Sequence, residues 1–268
     1  MGQNARKGLL FKPVGTPPPP QNKKSDRIAE EIKRWIVQQD LQTGDRLPPE
    51  QELAPWFSCG KGTIREALKS LEVQGLVAMR TGAKGGPVLK APSYDRTAEH
   101  LRTYLNFKNL DVNHIYNMRV MIEPEVAVQA ASVMTDELLD TLRANTCECR
   151  EMAASGDKDV RNKELDFHVL LAQHCPDPLL SFHSLFNADL LRRFIIVDKP
   201  GDEEFQRFTT HNCSSHEELI EAIEAGDSDE QRRIVREHME VSRRRSLQLC
   251  VRLTSNLLLP EITSSDVI

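Results

Sequence analysis

The residues best equipped for chemistry lie in the C-terminal two thirds of the chain. Glu164 and His168 stand four apart in ELDFH. His216 opens the string HEELIEAIEAGDSDEQRRIVREH, and His238 closes it. A spacing of four puts Glu164 and His168 on one face of a helix, where both can reach a single ion. Three imidazoles and a carboxylate suit a first-row divalent metal: zinc first, with nickel or manganese as alternatives. Asp166 is only two residues from His168 and projects elsewhere. His100, His114, His174, His183 and His211 stand apart from the pattern and are read as surface or satisfied core residues. Such an ion could be structural, or it could be catalytic with open positions. No base or nucleophile motif accompanies the cluster, so an enzyme is not expected.

A second group of interest lies near the front. The segment CGKGTIREAL begins a helix whose first turn offers Lys61, Gly62, Thr63 and Arg65. A helix entering the major groove meets base edges with that turn. Lys61 and Arg65 can reach guanine acceptors or phosphates, and Thr63 a phosphate or a thymine methyl. The backbone amides there also face phosphate. Glu66 is read as a fold residue, since phosphate repels a carboxylate. Arg80, Thr81 and Lys84 sit on or beside a glycine-rich tip that can approach the minor groove or its backbone. Solvated surface charge is the plainer reading of Arg80 and Lys84.

These groups need elements to hold them. Ile28, Ile32, Trp35 and Ile36 recur at helical spacing after Ser25 or Asp26 as N-cap. Gly44 and Pro48-Pro49 break the chain before a short helix from Glu50 to Phe57, in which Pro55 removes one backbone donor. A turn at Ser58-Cys59-Gly60 leads to a third helix with Ile64, Ala67, Leu68 and Leu71 on its apolar face. Gly75 stands where a helix end wants a left-handed residue. Two β-prone runs, Leu76–Met79 and Pro87–Leu89, flank the glycine-rich tip and predict a hairpin wing. From Ser93 onward the pattern is helical without a convincing strand. Helices are expected near 94–107, 111–131, 135–154, 157–174, 178–197, 204–225 and 228–253. The fold class is therefore mainly α: a winged helix-turn-helix, then an all-α antiparallel bundle of six to seven helices. The division expected is a flexible arm at 1–24 containing Pro17-Pro18-Pro19-Pro20, a DNA-binding domain at 25–92, a helical domain carrying the histidine pattern at 93–255 and a tail at 256–268.

Composition agrees. The net charge of -5 conceals a basic front, where residues 1–92 carry 15 Lys and Arg against 9 Asp and Glu. That suits a polyanion partner for the first part only. No apolar run approaches the ~20 residues of a membrane span. There is no secretory signal pattern, and the six cysteines lack metal-type pairing. Reduced thiols in a cytoplasmic protein are expected.

The stretch LQTGDRLPPEQELAPWFSCGKGTIREALKSLEVQGLV resembles the DNA-binding domain of the GntR family of bacterial regulators. The family's pattern is roughly L-x-x-G-x-x-L-P-S-E-x-x-L-A, then V-S-R-x-T-V-R-E-A-L-x-x-L-x-x-x-G-L-V. Here Gly60-Lys61 replaces Ser-Arg, and Gln51 stands where arginine is common. Lysine cannot make arginine's two-pronged contact with guanine, so the base preference is open. Behind it, the histidine pattern resembles the FCD domain, the helical sensor of the FadR subgroup, with Glu164 where that domain usually has Asp. Asp177-Pro178-Leu179 replaces the family's Asn-Pro-Leu. The resemblance spans about residues 26–253.

It implies a homodimer on palindromic double-stranded operator DNA, acting as a repressor. It also implies a small carboxylate or sugar-acid effector beside the metal. By resemblance Arg119, in the Arg-x-x-x-Glu that opens the sensor, lines the effector pocket with Glu123, although the two could form a plain helix salt bridge. Arg192 and Arg193 are further candidate anion contacts. An acyl-CoA effector is disfavoured, because fatty-acid-responsive members lack this histidine set.

Overall fold

The computed structural model describes residues 23–82, 85–157, 159–197, 203–248, 251–254 and 256–258. The proline-rich arm up to residue 22, Lys84 and residues 259–268 of the expected tail lie outside them. The chain divides into two compact units, Met1–Arg96 and Thr97–Ile268.

The first unit contains α1 (Lys24–Gln38), α2 (Glu50–Trp56), α3 (Lys61–Val73), β1 (Val77–Arg80) and β2 (Gly86–Leu89). Helix α3 forms because Ile64, Ala67, Leu68 and Leu71 recur at i, i+3, i+4 and i+7. All four are buried, against Ile28 and Ile32 of α1 and Leu53 of α2. Pro55 falls one residue before the end of α2, where its missing donor disturbs little of the helix. The turn into α3 places Ser58 at φ 44. Gly75 takes φ 80 after α3, and an added Cβ would also press on Arg96 at 3.4 Å. β1 and β2 pair antiparallel from Val77↔Leu89 to Arg80↔Gly86. A single bridge from Arg46 to Val88 attaches the segment before α2 to this wing.

The second unit is built on α4 (Tyr94–Asn106), which begins in the first, and on α5 (Val112–Ala131), α6 (Asp136–Ser155), α7 (Val160–His174), α8 (Pro178–Phe194), α9 (Glu203–Glu224) and α10 (Ser228–Gln248). Their boundaries follow local chemistry. Thr135 caps α6 by accepting from the Leu138 amide at 3.2 Å, and Gly156 ends that helix in the left-handed region. Asp177 accepts from the amides of Leu179 and Leu180 at the start of α8, with Pro178 as first helical residue. α5, α6, α7, α9 and α10 meet around Val126, Leu142, Phe167, Leu171, Leu219, Val235 and Met239. Burying each of the larger side chains contributes about 1.5–3 kcal/mol.

The expectation of helices without a convincing strand after Ser93 is corrected at two places. Ile195–Val197 (β3) pairs antiparallel with Val251–Leu253 (β4). The helices expected to reach 197 and 253 therefore end at 194 and 248. The β-branched run Ile195-Ile196-Val197 prefers extended backbone, but its partner lies more than fifty residues away, and such pairing leaves no periodic signal. The five described cysteines are free. No described helix is long and apolar enough to cross a membrane.

Candidate metal centre and DNA-reading surface

Three helices bring the histidines together: His168 from α7, His216 from α9 and His238 from α10. His168 Nε2 lies 3.2 Å from His238 Nε2 and 3.3 Å from His216 Nε2. A tetrahedral zinc with bonds of about 2.0–2.1 Å has ligand edges of about 3.3–3.4 Å, so these separations fit one ion. Among the described residues the three form a group whose donor atoms all lie within 4.8 Å of one another. Each is at most 3% exposed. Burial holds all three imidazoles below their usual pKa, and Arg119 pushes the same way. They are therefore neutral and carry the lone pairs a metal needs. Phe167 stacks flat on His216 at 4.0 Å between centroids and fixes that ring.

The carboxylates divide between two tasks. Glu123 Oε2 lies 3.6 Å from His168 Nδ1. Its other oxygen accepts from Ser184 Oγ at 3.1 Å and from Arg119 Nε at 3.3 Å. Burial pushes the Glu123 carboxyl up, but Arg119 and His168 outweigh it and hold the group below its usual pKa. An anion behind the non-coordinating nitrogen is the usual way to orient a metal-binding histidine. Glu164, expected as the fourth ligand, is buried one turn before His168, yet it does not join the histidine group. Its Oε1 accepts from the Asn212 amide. Burial raises its pKa to about 7 against the pull of Arg119 and Arg161.

Of the expected effector residues, Arg119 is 4% exposed and keeps its Nη2 without a partner. Glu123 is bonded to it and turned to His168. Arg192 is not brought to this interior: it is on the surface, bonded to Asp166 Oδ1 at 2.5 Å. Arg193 is likewise exposed and pairs with Asp189. Arg161, Asn187, Asn212 and Ser184 complete the polar surroundings, and sequence reasoning missed them. Arg161 had a legible signal, since it stands seven residues before His168 on the same helical face. The other three project from α8 and α9, away from the histidine spacing, and had none. The remaining histidines are outside the group, with His100, His114, His174 and His211 exposed.

In the first unit, α3 presents Lys61 and Arg65 to solvent with Thr63 half-buried between them. Gly60 precedes them as an N-cap with no side chain to satisfy the first-turn amides. The Thr63 amide donates to the Gly60 carbonyl at 3.0 Å, which leaves the Lys61 and Gly62 amides to meet a phosphate. Arg65 Nε also bonds Glu50 Oε2 at 2.7 Å, which ties α3 to the start of α2. Gln51 is exposed on α2 and Arg80 at the end of β1. Lys84 falls outside the described residues.

Comparison with known proteins matches residues 24–84 to bacterial regulatory proteins of the gntR family and residues 114–241 to the FCD domain. The HTH-type transcriptional repressor NanR of Enterobacter sp. (strain 638) is 27% identical over 225 residues, covering 82% of this chain and 84% of that protein. NanR of Escherichia coli (strain K12) is 26% identical over 225 residues, covering 82% of each. The solved structure of Streptococcus agalactiae GntR aligns with a TM-score of 0.54 at 22% identity, covering 82% of this chain and 99% of that one, which shows the shared fold.

Proposed function

The chain belongs to the gntR family of bacterial regulatory proteins, in the group whose helix-turn-helix is followed by an FCD domain, and from that premise we propose that it is a cytoplasmic, acid-responsive repressor. It is a DNA-binding transcriptional regulator and not an enzyme. In this reading two copies form a homodimer on a palindromic operator, since a two-fold protein matches a two-fold site. Lys61, Thr63 and Arg65 meet the major groove. Gln51, Arg80 and Lys84 contact the flanking backbone.

In the second unit, His168, His216 and His238 would hold a divalent ion, with zinc the best match to the ligand edges. Glu164 stands as the candidate fourth ligand, one turn before His168. A bound ion would supply a positive centre able to take an oxygen of the effector. Glu123 orients His168, and Arg119 offers its unpartnered Nη2 to a carboxylate. The single observation that carries this reading is the convergence of three neutral, buried histidines, with His168 Nε2 3.2–3.3 Å from the Nε2 atoms of the other two, beside a guanidinium nitrogen without a partner. Leaving such donors unmet in the interior costs free energy, and a ligand relieves it.

The test is thermal melting of zinc-loaded protein against a panel of small carboxylic and sugar acids, beside the Arg119→Ala and His216→Ala variants. Stabilisation by an acid in the wild type, lost in both variants, is the expected result. Stabilisation by zinc but by no acid would mean a structural ion and overturn the sensing role.

A further inference from the structure

Arg161, Glu164 and His168 stand at i, i+3 and i+7 on α7, a single face of the helix. On α8 the corresponding set is Ser184, Asn187 and Leu191. Two contacts fix how these faces meet. At one end Ser184 bonds Glu123, which lies against His168. At the other, Arg161 Nη2 donates to the Leu191 carbonyl at 2.9 Å. The helices are therefore antiparallel here, and Asn187 falls midway between the histidines and Arg161.

Two unmatched donors lie along this strip, against one unmatched acceptor beside it, Asn212 Oδ1. Arg119 Nη2 and Asn187 Nδ2 are both without partners, in residues only 4% and 5% exposed. Arg161 has one hydrogen bond, to a neutral carbonyl, and no ion pair among the described residues. Glu164, on the same helical face, is already held by Asn212. The formal charges carry a second argument. With Glu164 ionised, Arg119 and the half-buried Arg161 balance Glu123 and Glu164, so a divalent ion on the histidines leaves two positive charges uncompensated. Buried net charge is costly, and a dianion cancels it where a monoanion does not.

We infer that the effector is a dianionic acid lying lengthwise between α7 and α8. One acid group sits at the histidine and Arg119 end, the other on Arg161, and Asn187 binds an oxygen between them. This rests on the acid-sensing reading above and narrows its ligand class. Seven residues span about 10 Å of helix axis, and the long arginine side chain shortens that gap to what a six-carbon chain covers.

Matched aldonic and aldaric acids test it: gluconate against glucarate and galactonate against galactarate, differing only in a terminal hydroxymethyl or carboxylate. Each is titrated calorimetrically into full-length, zinc-loaded protein, with bound zinc remeasured afterwards. A diacid should bind at least about tenfold more tightly than its monoacid, the worth of one charged hydrogen-bonded contact. Arg161→Gln should erase that preference while leaving monoacid affinity within about twofold, and Arg161→Lys should restore part of it. Equal binding of the paired acids, or equal weakening of both by Arg161→Gln, overturns the inference. So does a tight monoacid, found in the wider panel, that Arg161→Gln leaves untouched. These outcomes differ from the failure of acid sensing itself, in which no acid of any kind binds.

Discussion

Two arginine–glutamate pairs sit in opposite halves of the chain and teach different things. Arg65 meets Glu50 at 2.7 Å on the DNA-reading surface, with the arginine side chain 67% exposed. Arg119 meets Glu123 at 3.3 Å inside the sensor, where the two side chains are 5% and 2% exposed. Distance alone would rank the first pair as stronger. Water reverses the order, because it screens the exposed pair and leaves the buried one to interact at low dielectric. The reader's charges are therefore available to a partner at little cost to the fold, whereas the sensor's charges are bound up with the fold itself.

The largest difference should appear in stability. Arg119→Met leaves Glu123 buried and unpaired, and denaturant unfolding should show a loss of about 3–5 kcal/mol. Arg65→Met should cost no more than about 1 kcal/mol in the same assay. Equal losses would break the comparison. The order should invert in DNA binding. Arg65→Ala should weaken operator affinity by about 1–3 kcal/mol if it reads a base, and Lys61→Ala should flatten the salt dependence if it meets a phosphate. Fluorescence anisotropy at several salt concentrations separates the two roles. Neither variant should alter zinc affinity.

A subtler change sharpens the sensor side. Glu123→Gln keeps the shape behind His168 but removes the anion, and competition against a zinc chelator should show a 10- to 100-fold loss of affinity, the usual effect of an outer partner. An unchanged affinity would mean that Glu123 only balances Arg119. The smallest effect is the pH response of the metal-free protein. Burial holds His168, His216 and His238 below the ordinary histidine pKa of 6.5 in the folded state. The unfolded chain therefore binds protons that the folded chain refuses, and stability is lost as pH falls below 6.5. Glu164, raised to about 7, opposes this, because its folded form keeps a proton that the unfolded chain has released between about 4.5 and 7. Thermal melts from pH 7.5 to 5.5 should fall overall, and more steeply in Glu164→Gln, which lacks the opposing term.

Much of this was readable before any coordinates. The reader was legible because its parts are local: an apolar stripe, a turn, a first-turn lysine and arginine, then a glycine-rich tip. The three clustered histidines were legible for another reason, since each sits on a strongly helical segment at a spacing a family pattern exposes. What resisted reading depends on which helix faces which. Arg192 was a reasonable anion contact by charge, but it turns outward to Asp166, while Arg161 lies on the His168 face two turns earlier. Asn212 captures Glu164, and Asn187 Nδ2 is left without a partner, by the way the helices face one another. The β3–β4 pair joins segments too short and too far apart to signal their union.

The most direct test joins the two halves. Operator affinity should be measured by anisotropy across a titration of whichever acid stabilises the zinc-loaded protein, in the wild type and in His216→Ala. The account predicts that the acid weakens operator binding in the wild type and has no effect in the variant. Linkage further requires the operator to weaken acid binding by the same factor. Operator affinity that stays constant at saturating acid in the wild type, or release that persists in His216→Ala, would contradict it.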